Sequence, residues 1–116
     1  MMKKKYRIKK SDEIELVMKK GVSKANRTFV VYQYKHPELN QYRVAISAPK
    51  KLGNAVVRNK IKRQMKAILQ QNSDQLKIGY DYFIIARPDF LKIDFKAATQ
   101  QMKHILNLLH PPPHKK

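Results

Sequence analysis

From Leu39 to Ser73 the chain carries no acidic residue, and inside that stretch the segment Pro49 to Lys66, PKKLGNAVVRNKIKRQMK, holds Lys50, Lys51, Arg58, Lys60, Lys62, Arg63 and Lys66. The pattern from Asn54 to Gln70 is helical. With Arg58 at zero and about 100° per residue, Lys62 falls at about 40°, Lys66 at about 80°, Asn59 at about 100° and Arg63 at about 140°. Val57, Ile61, Met65 and Ile68 fall between about 260° and 340°. The apolar side must therefore pack on the rest of the fold, and the cations, Arg58 and Lys62 included, are expected to stand exposed. An ordinary solvated helix face interleaves Glu or Asp with Lys for i,i+4 pairing, and this one does not. Lys50, Lys51, Gly53 and Asn54 precede the helix, where flexible backbone and unpaired N–H groups add phosphate contacts.

The whole chain repeats this bias. Its 116 residues hold 26 Lys and Arg against 8 Asp and Glu, a net charge of +18. Such an excess points to a polyanionic partner, nucleic acid first and an anionic membrane second. With 42% apolar residues the length suits one domain with a core of its own. The absence of cysteine removes disulfides, thiolate nucleophiles and Cys-based zinc sites, which fits a cytoplasmic location. The longest apolar run, Tyr82 to Ala86, is far too short for a membrane span. Residues 1–10 lack the apolar run a signal peptide needs and read as a basic arm. Residues 11–110 read as one domain and 111–116 as a Pro- and Lys-rich tail.

Within the domain, Ser11 is expected to cap a first helix, with Asp12, Glu13 and Glu15 at its positive end, Lys19 and Lys20 at its negative end, and Gly21 to stop it. Ile14, Val17 and Met18 share one face. Thr28 to Tyr34 reads as a strand with Phe29 and Val31 pointing one way and Val30, Tyr32 and Tyr34 the other; Phe29 is the candidate core residue. Tyr42 to Ala48 returns as a strand, with Tyr42, Val44, Ile46 and Ala48 on one face. Tyr80 to Ala86, nearly all apolar, reads as a central strand. Asp94 caps a last helix with Phe95, Ala98, Met102, Ile105, Leu106 and Leu109 at helical spacing. The order is α+β around one antiparallel or mixed sheet.

Protein-borne catalysis finds little support. His36, His104, His110 and His114 are scattered, the prolines between the last two forbid a helical pair, and Asp81, Asp89 and Asp94 could hold a metal only if the fold gathered them. No catalytic or metal-binding residue is expected.

The segment KKLGNAVVRNKIKRQMK resembles the Arg-Asn-Arg signature of the protein subunit of bacterial ribonuclease P, with Arg58, Asn59 and Lys60 in the signature places. The resemblance extends to Ala25, Asn26, Arg27 and Phe29 before one strand and to Ile84, Ile85, Ala86 and Arg87 at the end of another. It implies a ribosomal S5 domain 2-like α/β sandwich, with about four strands, three helices and a left-handed β-α-β crossover, and with a short extra strand near Val22 to Ala25. It further implies an accessory protein, a monomer when free, that assists a catalytic RNA in removing the 5′ leader from precursor tRNA, with Mg²⁺ bound mainly by that RNA. Carried over by position, Lys50, Lys51, Asn54, Arg58, Asn59, Lys62, Arg63 and Lys66 would contact the RNA subunit. Ile14, Val17, Met18, Val30 and Tyr32 would line a cleft for the single-stranded leader. The family commonly has Phe where this chain has Ile14 and Met18, so stacking from the first helix is lost and Tyr32 remains to stack. Six phosphate contacts would give a salt slope of roughly −4 to −5. The competing readings are a ribosomal or general RNA-binding structural protein and a peripheral membrane protein; the last helix has too few cations for the latter.

Overall fold

The computed structural model describes residues 6–110; residues 1–5 of the basic arm and the 111–116 tail lie outside them. The elements are α1 (Ser11–Lys20), β1 (Val22–Ala25), β2 (Phe29–Lys35), β3 (Arg43–Ser47), α2 (Ala55–Gln71), β4 (Tyr80–Ala86) and α3 (Phe95–Leu109), with single 3-10 turns at Lys50–Leu52, Ser73–Gln75 and Pro88–Lys92. The sheet order is β1-β2-β4-β3. β2 is antiparallel to both β1 and β4, whereas β3 runs parallel to β4. Parallel neighbours need a long connection, and α2 supplies it. The fold is thus α+β, three helices on a four-stranded mixed sheet, with β4 central as its apolar sequence requires.

Alternation along the strands sorts two cores. On one face, Phe29 and Val31 of β2, Val44 of β3, and Tyr82 and Ile84 of β4 pack with Ile61, Met65 and Ile68 of α2 and with Met102, Ile105 and Leu106 of α3. On the other, a smaller cluster of Ile8, Val17 and Ala45 is joined by half-buried Ile14, Tyr32, Tyr34 and Phe83 beneath α1. On α2 and α3, two members of the expected apolar stripes do not join the core: Val57 is 36% exposed and Phe95 is 43% exposed, both in first turns.

The basic arm is partly built into the fold. Arg7 bridges Val44 in parallel, Ile8 N donates to Val44 O (2.9 Å), and the Ile8 side chain is buried. The expected cap of α1 is displaced by one residue. Lys10 occupies the N-cap without a side-chain bond, and Ser11 is already helical. Asn54 and Asp94 do cap α2 and α3, their Oδ1 atoms accepting from Val57 N (3.1 Å) and Ala97 N (2.8 Å).

Two glycines are dictated by geometry. A Cβ on Gly21 would stand 2.4 Å from the carbonyl oxygens of both Val17 and Gln33, so only glycine lets the end of α1 lie on β2. Gly53 has φ +147° and turns the chain from Lys50–Leu52 into α2.

At the far end of α3, His110 joins a half-buried polar cluster. Lys77 N donates to Tyr82 Oη (2.9 Å), so the Tyr82 hydroxyl is free to donate to His110 Nε2 (2.7 Å), which Gln33 also contacts. An accepting Nε2 requires a neutral ring. Burial, and then the charge of Lys77, hold the His110 pKa below its ordinary 6.5. The unfolded chain takes up a proton that the folded ring refuses. Stability is therefore complete above about pH 6.5 and falls as the pH drops below it toward the folded value. Thermal melts at about pH 7.5 and about pH 5.5 are expected to show this loss, and His110→Asn to reduce it.

Candidate nucleic-acid interface

The cationic row of α2 is held side-on along the outer edge of the sheet. Lys50, Lys51, Asn54, Asn59, Lys60 and Arg63 are exposed; Arg58, Lys62 and Lys66 are half-buried. Arg58 departs from the expected free position. Its Nε donates to the carbonyl of Ala48 (2.8 Å), so it closes the β3–α2 connection. The ion pairs among the described residues are His36–Glu38, Arg43–Glu13 and Arg43–Asp81, and none involves an α2 cation. The face is electrostatically unsatisfied by the protein itself, as its acid-free sequence requires.

The second surface is the sheet face that α1 covers incompletely. Val30 and Tyr32 are half-buried on it, and Tyr32 stacks on Phe83 with ring centroids 6.2 Å apart and planes 28° apart. By alternation Ile85 lies on the same face, one step beyond Phe83. From sequence alone, neither Phe83 nor Ile85 was placed in the cleft. The signal was present, since Tyr82, Ile84 and Ala86 already account for the opposite face, but a strand apolar on both sides hides its open side. Met18 is 42% exposed on α1, whereas Val17 is fully buried and cannot line a cleft. That corrects its assignment: Val17 is the side chain that fastens α1 to the sheet.

The position of α1 is also fixed by charge. Arg43 makes a fork with Asp81, Nε to Oδ1 at 2.9 Å and Nη2 to Oδ2 at 2.8 Å, and reaches Glu13 of α1 at 3.3 Å. Asp81 is 2% exposed. The hydrogen bonds to Asp81 hold the Arg43 pKa above its ordinary value.

The surfaces meet at a groove of about 300 Å³ beside β3, where Ile14 of the cleft set faces Lys62 and Lys66 of the RNA-subunit set. In contrast, Asp81, Asp89 and Asp94 are dispersed to separate tasks: Asp81 binds Arg43, Asp89 accepts from Thr28 Oγ1 (3.2 Å), and Asp94 caps α3. Among the described residues no group of three or more His, Cys, Asp or Glu is placed to hold a metal ion. No helix there is long and apolar enough to cross a membrane.

Asn26 shows why an Ala-Asn-Arg sequence suits the β1–β2 turn. Its Oδ1 accepts from Thr28 N (3.0 Å) and Phe29 N (2.9 Å), and its Nδ2 donates to Gln101 O of α3 (3.0 Å). Arg87 Nη1 donates to the Asn26 carbonyl (2.9 Å), tying the end of β4 to the same turn.

Comparison with known proteins agrees with this geometry. The family model "Ribonuclease P" matches residues 2–110. A "Ribonuclease P protein component" of Bacillus cereus (strain B4264) is 43% identical over 104 residues, 90% of each chain. One of Listeria welshimeri is 43% identical over 107 residues, 92% of this chain and 90% of the relative. The Staphylococcus aureus RNase P protein superposes with a TM-score of 0.82 at 37% identity, covering 90% of this chain and 95% of that one. The Thermotoga maritima protein does so with a TM-score of 0.76 at 29% identity, covering 93% and 98%. By sequence and by fold, the chain belongs to the ribonuclease P protein family.

Proposed function

We propose that this protein is the accessory subunit of an RNA-based endonuclease, binding the catalytic RNA through α2 and the 5′ leader of precursor tRNA on the sheet face beside α1. The observation that carries the reading is the row of cations on α2, which has no acidic partner within the described fold. Lys50, Lys51, Asn54, Asn59, Lys62, Arg63 and Lys66 contact phosphates of the RNA subunit, and Arg58 both contacts RNA and holds the turn before α2. Val30, Tyr32 and Phe83 form an apolar and aromatic floor on which leader bases lie, flanked by Ile14 and Met18. Mg²⁺ is held by the RNA and supplies the activation of the attacking water. The protein's share is to bring RNA strands together, screen their repulsion and orient the leader. A cytoplasmic setting suits these partners.

The test is cleavage of a precursor tRNA by a bacterial ribonuclease P RNA, at a Mg²⁺ concentration too low for the RNA alone. Addition of the protein is expected to restore cleavage at the mature 5′ end, and the protein alone to cleave nothing. Salt-dependent RNA binding without stimulation would instead mark a general RNA-binding protein on this fold.

A further inference from the structure

The groove beside β3 has a chemistry that neither flanking surface has alone. Its apolar lining comes from both sides of the sheet, Ile46 from the α2 side and Ile8 and Ile14 from the α1 side; Arg7, Lys62 and Lys66 also line it, and no acidic residue does. The strand edge beneath it is open. Val44 receives the Ile8 N–H on its outer side, and alternation turns the N–H and C=O of Ile46 the same way. Among the described residues, pairing on that edge stops at the Arg7–Val44 bridge. The groove therefore offers apolar side chains on either side of the strand edge, one peptide donor and one acceptor at that edge, and positive charge around them.

A ligand complementary to all three has an apolar face, a hydrogen-bonding edge and a negative charge, which describes a nucleotide. We infer that the groove accepts a single unstacked nucleotide of RNA, with its base between Ile46 on one side and Ile8 and Ile14 on the other, its edge against the Ile46 peptide groups, and its phosphate toward Arg7, Lys62 and Lys66. Bases within a duplex are stacked and paired, so the nucleotide comes from a single-stranded stretch, either the leader or an unpaired position in the RNA subunit. The site would join the two RNA surfaces at one point. This inference rests on the RNA-binding reading of α2.

Titration of the ¹⁵N-labelled full chain with adenosine 5′-monophosphate, and separately with inorganic phosphate, tests the site. The nucleotide is expected to shift the amides of Ile8, Ala45 and Ile46 saturably, and phosphate to leave them nearly unmoved. Arg7→Ala is expected to weaken nucleotide binding several-fold, the loss of one charge-assisted contact to the phosphate. Arg7 is exposed and joins β3 through its backbone, so this variant keeps the fold. Equal responses to the two probes would reduce the groove to an anion site and overturn the proposal, as would nucleotide shifts confined to other residues. In the assembled enzyme, 2-aminopurine placed singly along the leader or at unpaired positions of the RNA subunit identifies the source. The position whose fluorescence changes on protein binding, and changes less with Arg7→Ala, is the occupant; silence at every position overturns the site. Restored precursor cleavage without any nucleotide response would remove this site and leave the functional reading intact. A nucleotide response without stimulated cleavage would do the reverse.

Discussion

Replacing Lys62 and Lys66 together by alanine is expected to lower affinity for the RNA subunit roughly 25- to 60-fold in about 0.1 M salt, and to make the salt slope shallower by about 1.4 to 1.8. The two figures have one origin. Each lysine that neutralises a phosphate releases a condensed counterion, so its benefit is greatest in dilute salt and vanishes toward about 1 M. Neither lysine has an acidic partner within the described residues, so its removal strands no buried charge. The cost to folding is limited to the packing of two half-buried aliphatic stems. Filter binding or fluorescence anisotropy across a salt series, with melting temperature as the control, measures both. Arg58→Ala is a poorer probe, because it also removes the bond to Ala48 O, worth about 1 kcal/mol of stability. A double variant whose affinity falls equally at all salt concentrations would place these lysines outside the phosphate contacts.

Asp81→Ala is expected to destabilise the fold by about 3–5 kcal/mol, since it strips the mostly buried Arg43 guanidinium of its two closest hydrogen bonds and leaves only the longer contact to Glu13. For a domain whose total stability is on the order of 5–15 kcal/mol, that threatens folding outright. Calorimetry should show the melting temperature lowered by roughly 10–25 °C. Glu13→Ala removes the longer and more exposed arm of the same network and should cost less than about 1 kcal/mol. The pair of variants separates two tasks. Asp81 with Arg43 holds β3 against β4, whereas Glu13 steadies only the first turn of α1. Asp81→Ala as stable as the parent would show the ion pair to be replaceable by packing alone.

The sequence disclosed most where a periodicity had one interpretation. The opposed faces of α2, the alternation of β2 that buries Phe29, and the cap Asp94 could all be read from neighbouring residues. What escaped depends on distant partners. Asp81 looked at most like a scattered carboxylate, because Arg43 reaches it only once β3 and β4 are laid side by side. Arg58 looked free because its acceptor is a backbone carbonyl, which no side-chain pattern reports. Val17 and Met18 are adjacent on one apolar stripe, yet one is sealed and the other exposed, a difference that sequence spacing alone does not report. β1 is exposed at all four positions and so leaves no hydrophobic alternation; only the family resemblance pointed to it. Phe83 was hidden in the opposite way, within a strand apolar on both sides.

The sheet order also dictates a schedule. β4 is the last strand to leave a ribosome and yet lies between β2 and β3, so during synthesis neither neighbour can complete its pairing until residue 86 has emerged. Before that moment only α1, the β1–β2 hairpin and α2 can form from local contacts, and the larger core waits further for α3. A nascent chain halted before β4 therefore exposes the apolar side of β2 and α2 together with most of its positive charge. Such a fragment is a substrate for chaperones or a trap for any nearby polyanion, and the complete strand is what converts it into a folded subunit.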